Sequence, residues 1–243
     1  MYSIIQYLYR YLKHLHLKMS QTQLKKSFNE IGTRLEAGVD EVARGCLAGP
    51  VCSAAVIWPI TMDEEYQHIE AMIKDSKKLT KKKRETLAEF IKGFAIDWSV
   101  SQVSNQIIDT INIRNATFKA MHSAIDGLKI VPDFLLIDGN GFNPYFDEDG
   151  EIIEHTCVVG GDAHYISVAA ASILAKVYHD EIIEEWCQTN PNYNVYDWKS
   201  NMCYGTKKHL DAIIDYGISP LHRKTFGICE TSKKNPVFTS SIK

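Results

Sequence analysis

The 243-residue chain carries 27 Lys and Arg against 30 Asp and Glu, a formal net charge of −3, so it is no broadly basic nucleic-acid coat, and any phosphate contact must come from a local cluster. An apolar share of 45% is ordinary for a globular protein and fits one large domain or two small ones. The six cysteines form no C-x-x-C pair and no zinc-module spacing, which leaves reduced thiols in a cytoplasmic protein.

Residues 1–18 are aromatic, basic and free of acids, with Ile4, Ile5, Leu8, Leu12 and Leu15 as the apolar positions. The pattern fits a short amphipathic helix that lies on a membrane or addresses an organelle. Arg10, Lys13 and His14 break it, so it makes a poor secretory signal and is too short to span a bilayer. The favoured reading is that translation begins at Met19 and that 1–34 is an extension ahead of the folded region. Residues 35–42 and 50–58 read as neighbouring strands joined by a glycine-containing connection. Residues 80–91 have helical periodicity, and 94–103 alternate as a half-buried strand does. A helical stretch over 104–128 is interrupted near Ile111 and Asn112. A short buried strand at 134–137, a hairpin-like turn at Asp149-Gly150 and a strand at 153–158 follow. Long helical patterns then cover 164–186 and 206–215, the second stopped by Gly217 and Pro220. From residue 230 the chain is a polar tail, expected to be disordered. This order predicts an α/β or α+β layer arrangement.

The chemistry concentrates at Asp40 and Glu41, adjacent acids in an apolar run that leads into Arg44, Gly45 and Gly49. Buried acids are costly unless something neutralises them, and a divalent cation does so where basic partners are missing. Asp138 ends the strand at 134–137, and Asp180 ends a small-residue helix on which Ser172, Lys176 and Asp180 share a face. Taken singly, Asp138 reads equally as a turn residue and Asp180 as a surface acid. Seven basic residues crowd 74–84, a phosphate-binding patch or a solvated helix face with equal weight. His164, His179, His209 and His222 fit no metal motif and read as packing or surface groups. Ser172 has no identifiable activating partner and is not read as a nucleophile.

These runs, together with Asp75-Ser76-Lys77-Lys78-Leu79-Thr80, Gly161-Asp162-Ala163, Tyr204-Gly205-Thr206 and Pro220-Leu221-His222-Arg223-Lys224-Thr225-Phe226, occur in an order that resembles type 2 ribonuclease H, the bacterial ribonuclease HII family. The likeness runs from about Leu35 to about Phe226. It implies an α/β fold of the ribonuclease H type, a mixed five-stranded sheet flanked by helices, with a small C-terminal helical segment inside a catalytic domain at 35–229. It implies that Asp40, Glu41, Asp138 and Asp180 are catalytic and hold Mg2+ or Mn2+, two ions during catalysis, placed on either side of the phosphate. In a regular strand Glu41 points away from Asp40, so a bend near Ala43-Arg44-Gly45 is expected.

The same resemblance implies a substrate set of Ala43, Arg44, Gly45, Lys77, Lys78, Ser172, Lys176 and Tyr204. The lysines and Arg44 contact phosphates, Ser172 donates a hydroxyl, and Tyr204 stacks on the sugar after the ribonucleotide. The family's Gly-Arg-Gly presents main-chain groups to the 2′-hydroxyl; here Ala43 replaces the first glycine, and its methyl is expected to block close approach or forbid a positive φ. Family members usually carry Lys-Gly before the tyrosine, where this chain has Met202-Cys203. The implied activity is hydrolysis 5′ to ribonucleotides in RNA/DNA hybrids and in DNA duplexes with embedded ribonucleotides, leaving 3′-hydroxyl and 5′-phosphate ends. The alternative is a non-catalytic or substrate-restricted binding protein on the same fold. Partners are these nucleic acids, with no membrane and no clamp-binding motif, and the chain is expected to be a cytoplasmic monomer.

Overall fold

The computed structural model describes residues 23–29, 34–74 and 76–238; the amphipathic pattern at 1–18, Met19 and Asp75 lie outside them. The elements follow the order β1 (Glu36–Val42), β2 (Val51–Ile57), α1 (Glu64–Glu70), α2 (Lys81–Phe94), β3 (Asp97–Val103), α3 (Asn105–Asp126), β4 (Phe134–Asp138), β5 (Tyr145–Phe146), β6 (Ile152–Ile153), β7 (His155–Val158), α4 (Ile166–Thr189), α5 (Trp198–Asn201) and α6 (Lys207–Tyr216). Five strands form one sheet in the order β3-β2-β1-β4-β7. β4 runs parallel to both β1 and β7, and β5 and β6 make the expected small hairpin. The fold is the mixed five-stranded, helix-flanked sheet expected of a ribonuclease H.

Local chemistry accounts for the helix boundaries. The Thr80 hydroxyl accepts from the Lys83 amide and Thr206 from the His209 amide, which fixes the starts of α2 and α6; such a cap contributes about 1 kcal/mol. The interruption in α3 falls at Asn112, which has φ 66° and ψ 165° and whose Oδ1 accepts from the Asn115 amide, capping the second half of the helix.

The chain divides into two compact units. One holds the described residues up to Glu41 with Ser53–Ser101 and Met121–Val177, and the other holds Val42–Cys52, Gln102–Ala120 and the chain from Tyr178 onward. In the first, Phe134, Leu136, Tyr165 and Val168 make a buried cluster on which Phe28 stacks, its ring 5.5 Å from Phe134. The Glu36 carboxylate accepts from the amides of Phe28 and Asn29 and from the Ser27 hydroxyl. The described part of the expected extension is therefore folded against β1.

In the second unit the core gathers Ile183, Cys187, Tyr196, Trp198, Ala212 and Ile213. The expected disordered tail requires correction over its described part. Phe238 stacks on Tyr193 with centroids 5.0 Å apart, and buried Asn235 donates to the Tyr196 hydroxyl at 2.9 Å. Two aromatic and amide anchors, too sparse to show as a pattern in a polar stretch, hold residues 231–238 in place.

Candidate active site

In the first unit β1 and β4 pair in parallel with Val39 opposite Ile137, so the next residues, Asp40 and Asp138, emerge side by side at the carboxyl ends of adjacent strands. Open α/β sheets place their sites at such strand ends. Glu41 joins them: one carboxylate oxygen each from Asp40, Glu41 and Asp138 lie within 4.8 Å of one another. Adjacent strand residues ordinarily face opposite ways, so the convergence is the departure from regularity that the sequence requires, and Ala43, two residues on, has φ 71°.

The helix α4 supports this corner. Gly38 and Asp40 share one face of β1, and a Cβ on Gly38 would lie 2.3 Å from the Ser167 carbonyl carbon. Main chain meets main chain there. Two residues along a strand advance about 6.6 Å, and the four from Val168 to Ser172 advance about 6 Å along a helix. Asp40 therefore faces Ser172, whose hydroxyl donates to its carboxylate. The Ser76 and Ser172 hydroxyl oxygens are 3.0 Å apart; with the Ser172 proton committed to Asp40, Ser76 is the donor to Ser172. Asp40 also accepts from the Glu41 amide at 2.7 Å, and Asp138 from the Gly161 amide at 2.7 Å. Ser76 and Gly161 belong to motifs legible in the sequence, yet their hydrogen bonds to this site were not.

Asp40 is 5% exposed. Its burial, then the negative charges of Glu41 and Asp138, push its carboxyl well above the usual carboxylate range, against the pull of the Ser172 hydroxyl and the Glu41 amide. A cation between the three carboxylates would reverse the repulsion, and hard oxygen donors suit Mg2+ or Mn2+. The three acids fit such an ion. Of the other expected residues in this unit, Lys77 and Lys78 are exposed on a short turn of helix and Lys176 is half-buried on α4.

The second unit carries Ala43, Arg44, Gly45, Asp180 and Tyr204. Ala43 is buried with φ 71°, so the expectation that its methyl forbids a positive φ is corrected: the surrounding contacts hold an L-residue there. Arg44 and Gly45 are exposed. Cys46 forms an antiparallel bridge with Tyr204, and the Leu47 amide donates to the Cys203 carbonyl at 2.9 Å. Met202 and Cys203, at φ 47° and 66°, supply the turn where the family usually has a glycine. The Tyr204 hydroxyl accepts from the Ala43 amide, and burial raises that phenol far above its ordinary value. Asp180 is 5% exposed, with a carboxylate oxygen 3.4 Å from His179 Nδ1. The structure thus gathers three of the four expected acids into one cluster, and describes Asp180 with the second unit.

Comparisons with known proteins agree on one family. A model described as Ribonuclease HII matches residues 37–229. A Ribonuclease HII from Phocaeicola vulgatus is 48% identical over 197 residues, 81% of this chain and 91% of that protein. One from Parabacteroides distasonis is 50% identical over 193 residues, 79% and 90% of the two chains. Among solved structures, ribonuclease H2 from Pyrococcus horikoshii OT3 superposes with a TM-score of 0.65 at 25% identity, covering 81% of this chain and 95% of that one.

Proposed function

The chain belongs to the ribonuclease HII family and is a type 2 ribonuclease H, an endonuclease; from that premise we propose that it hydrolyses the phosphodiester 5′ to ribonucleotides, in RNA/DNA hybrids and in DNA duplexes with embedded ribonucleotides. The products carry a 3′-hydroxyl and a 5′-phosphate. The observation that carries this reading is the convergence of Asp40, Glu41 and Asp138 within 4.8 Å at the carboxyl ends of two parallel strands.

Asp40, Glu41 and Asp138 would hold Mg2+ or Mn2+, with Asp180 as the family's fourth acid and two ions engaged during hydrolysis. Bound divalent ions supply a more acidic water and charge neutralisation at the phosphate. The chain's own part is preorganisation. The Ser76–Ser172 hydroxyl pair and the Glu41 amide fix the Asp40 carboxylate, and the Gly161 amide fixes one oxygen of Asp138, so the ligand atoms need not reorganise when the substrate arrives. Lys77, Lys78, Lys176 and Arg44 neutralise phosphates and set register without reading bases. Tyr204 supplies a stacking face for the sugar beyond the ribonucleotide. Residues 35–229 form the catalytic domain, acting as a cytoplasmic monomer; among the described residues no helix is long and apolar enough to cross a membrane.

The test is cleavage of an end-labelled DNA duplex containing one ribonucleotide, beside an all-DNA duplex and a continuous RNA/DNA hybrid, with Mg2+, Mn2+ or chelator. Cutting 5′ to the ribonucleotide, abolished by chelator, is expected. Asp138→Asn is expected to lose at least 100-fold in rate while still binding the duplex. Tight binding without cutting under either metal would replace this reading with the non-catalytic one.

A further inference from the structure

The segment after Pro220 has no part in the chemistry above, yet it contains a fully buried arginine. Arg223 is 0% exposed, and its guanidinium is spent on main-chain carbonyls. Nη2 donates to Ala43 and Pro50 at 2.8 Å each, Nη1 to Arg44 at 2.8 Å, and Nε to Gly49 at 3.0 Å. The Phe226 ring lies 5.0 Å from its Cζ. Burying a guanidinium in an apolar region is expensive, and here the fork binds both ends of one loop, 43–44 and 49–50.

The direction of those bonds matters. No peptide bond among the described residues is cis, and in a trans peptide the carbonyl of one residue and the amide of the next point opposite ways. With the carbonyls of Ala43 and Arg44 turned to the guanidinium, the amides of Arg44 and Gly45 are turned away from it. Both residues are exposed, and a Cβ on Gly45 would meet nothing within 4 Å. Consecutive amides turned to the same side can together donate to one oxygen acceptor.

The neighbouring residue holds the other half of the same element. The Ser219 amide donates to His222 Nδ1 at 2.9 Å, so His222 carries its proton on Nε2 and shares His209 Nε2, 3.1 Å away, as acceptor with the Trp198 indole N–H, also at 3.1 Å. His209 Nδ1 then donates to the Tyr204 carbonyl at 3.0 Å. We propose that Arg223 is a positioning residue for ribonucleotide recognition: it turns the Arg44 and Gly45 amides towards the 2′-hydroxyl of the substrate, while His222, through His209, holds Tyr204. The assignment rests on the functional reading above.

The decisive variant is Arg223→Lys, which keeps the charge and loses the fork. Affinity for a single-ribonucleotide duplex and for an all-DNA duplex is measured by fluorescence anisotropy in Ca2+, with amide hydrogen exchange followed over residues 43–50 and over β4. The ribonucleotide preference is expected to fall at least fivefold with all-DNA affinity kept, and exchange at 43–50 to quicken at least tenfold with β4 unchanged. Adding Ala43→Gly, which accepts φ 71° without strain, is expected to restore part of the preference. Unchanged exchange and preference would overturn the proposal. So would unfolding of both Arg223→Lys and the double variant, since the arginine would then hold the fold and not one loop. A wild-type chain with no ribonucleotide preference removes the functional reading instead, and the exchange result then judges the orienting role alone.

Discussion

Asp40 shows how a single residue is placed at odds with its surroundings. A carboxyl at 5% exposure beside two more acids is disfavoured as an anion by burial and by their charges, and the cost is recovered when a cation arrives. Replacing it should therefore trade activity for stability: Asp40→Asn is expected to raise the urea midpoint of the metal-free protein by about 1–2 kcal/mol equivalent and to abolish cleavage. A midpoint equal to or below that of the wild type would show that the three acids do not repel one another. Ala43 stores strain of a different kind. An L-residue in the left-handed region costs about 1–2 kcal/mol, and glycine gives back part of that as chain entropy. Ala43→Gly is expected to stabilise the protein by about 1 kcal/mol, read from denaturant unfolding; a loss of stability would mean the buried methyl packs better than the backbone is strained.

At the scale of elements, the close contact between β1 and α4 sets the position of Asp40 against Ser172. Gly38→Ala would drive a methyl into the Ser167 main chain, where only backbone can yield. The expected loss is about 3 kcal/mol, with cleavage falling because the helix moves from Asp40; full stability by thermal unfolding would contradict this packing. The histidine chain around α6 gives the second unit an acid limit. Burial, and then His209, pull His222 down to about 3, and burial lowers His209. The folded state keeps both neutral, whereas the unfolded chain takes up protons below about pH 6.5. Their contribution is complete above that pH and is lost as pH falls below it, for His222 by about 1.4 kcal/mol per pH unit down to about 3, with His209 adding a loss of the same sign. Urea midpoints at pH 7.5 and 5.5, taken on Asp40→Asn to remove a titration of opposite sign, should show the fall.

For the molecule as a whole, the long helices and most strands were legible because each carries its own period and punctuation; the short helix α1 was not, and the five-stranded sheet came from the family resemblance. The break in α3 is an example: asparagine at Asn112 marks both an end and a cap. The three clustered acids were legible from type and order, since few other arrangements justify adjacent acids in an apolar strand. What escaped was whatever depends on a partner far along the chain. Ser172 reads as a hydroxyl donor to the substrate until the fold presents it to Asp40 and Ser76. Ala43 reads as a defect until the structure shows its carbonyl gripped by Arg223, 180 positions away. The tail from residue 231 reads as solvent-exposed because two good anchors leave no periodic trace.

The thiols make the native chain its own labelling reagent. Cys46, Cys52, Cys187, Cys203 and Cys229 are all buried, and only Cys157, on β7, is half-exposed. It pairs with Ile137, the residue beside Asp138. Burial raises its thiol above the ordinary value, so alkylation should be slow at pH 7 and faster above about pH 9. A maleimide dye is expected to attach at about one per chain in the native protein and at all six thiols in denaturant. A fluorophore would then stand one strand from Asp138 and two from Asp40 and Glu41 without any substitution, and its quenching by Mn2+ would report ions as they arrive.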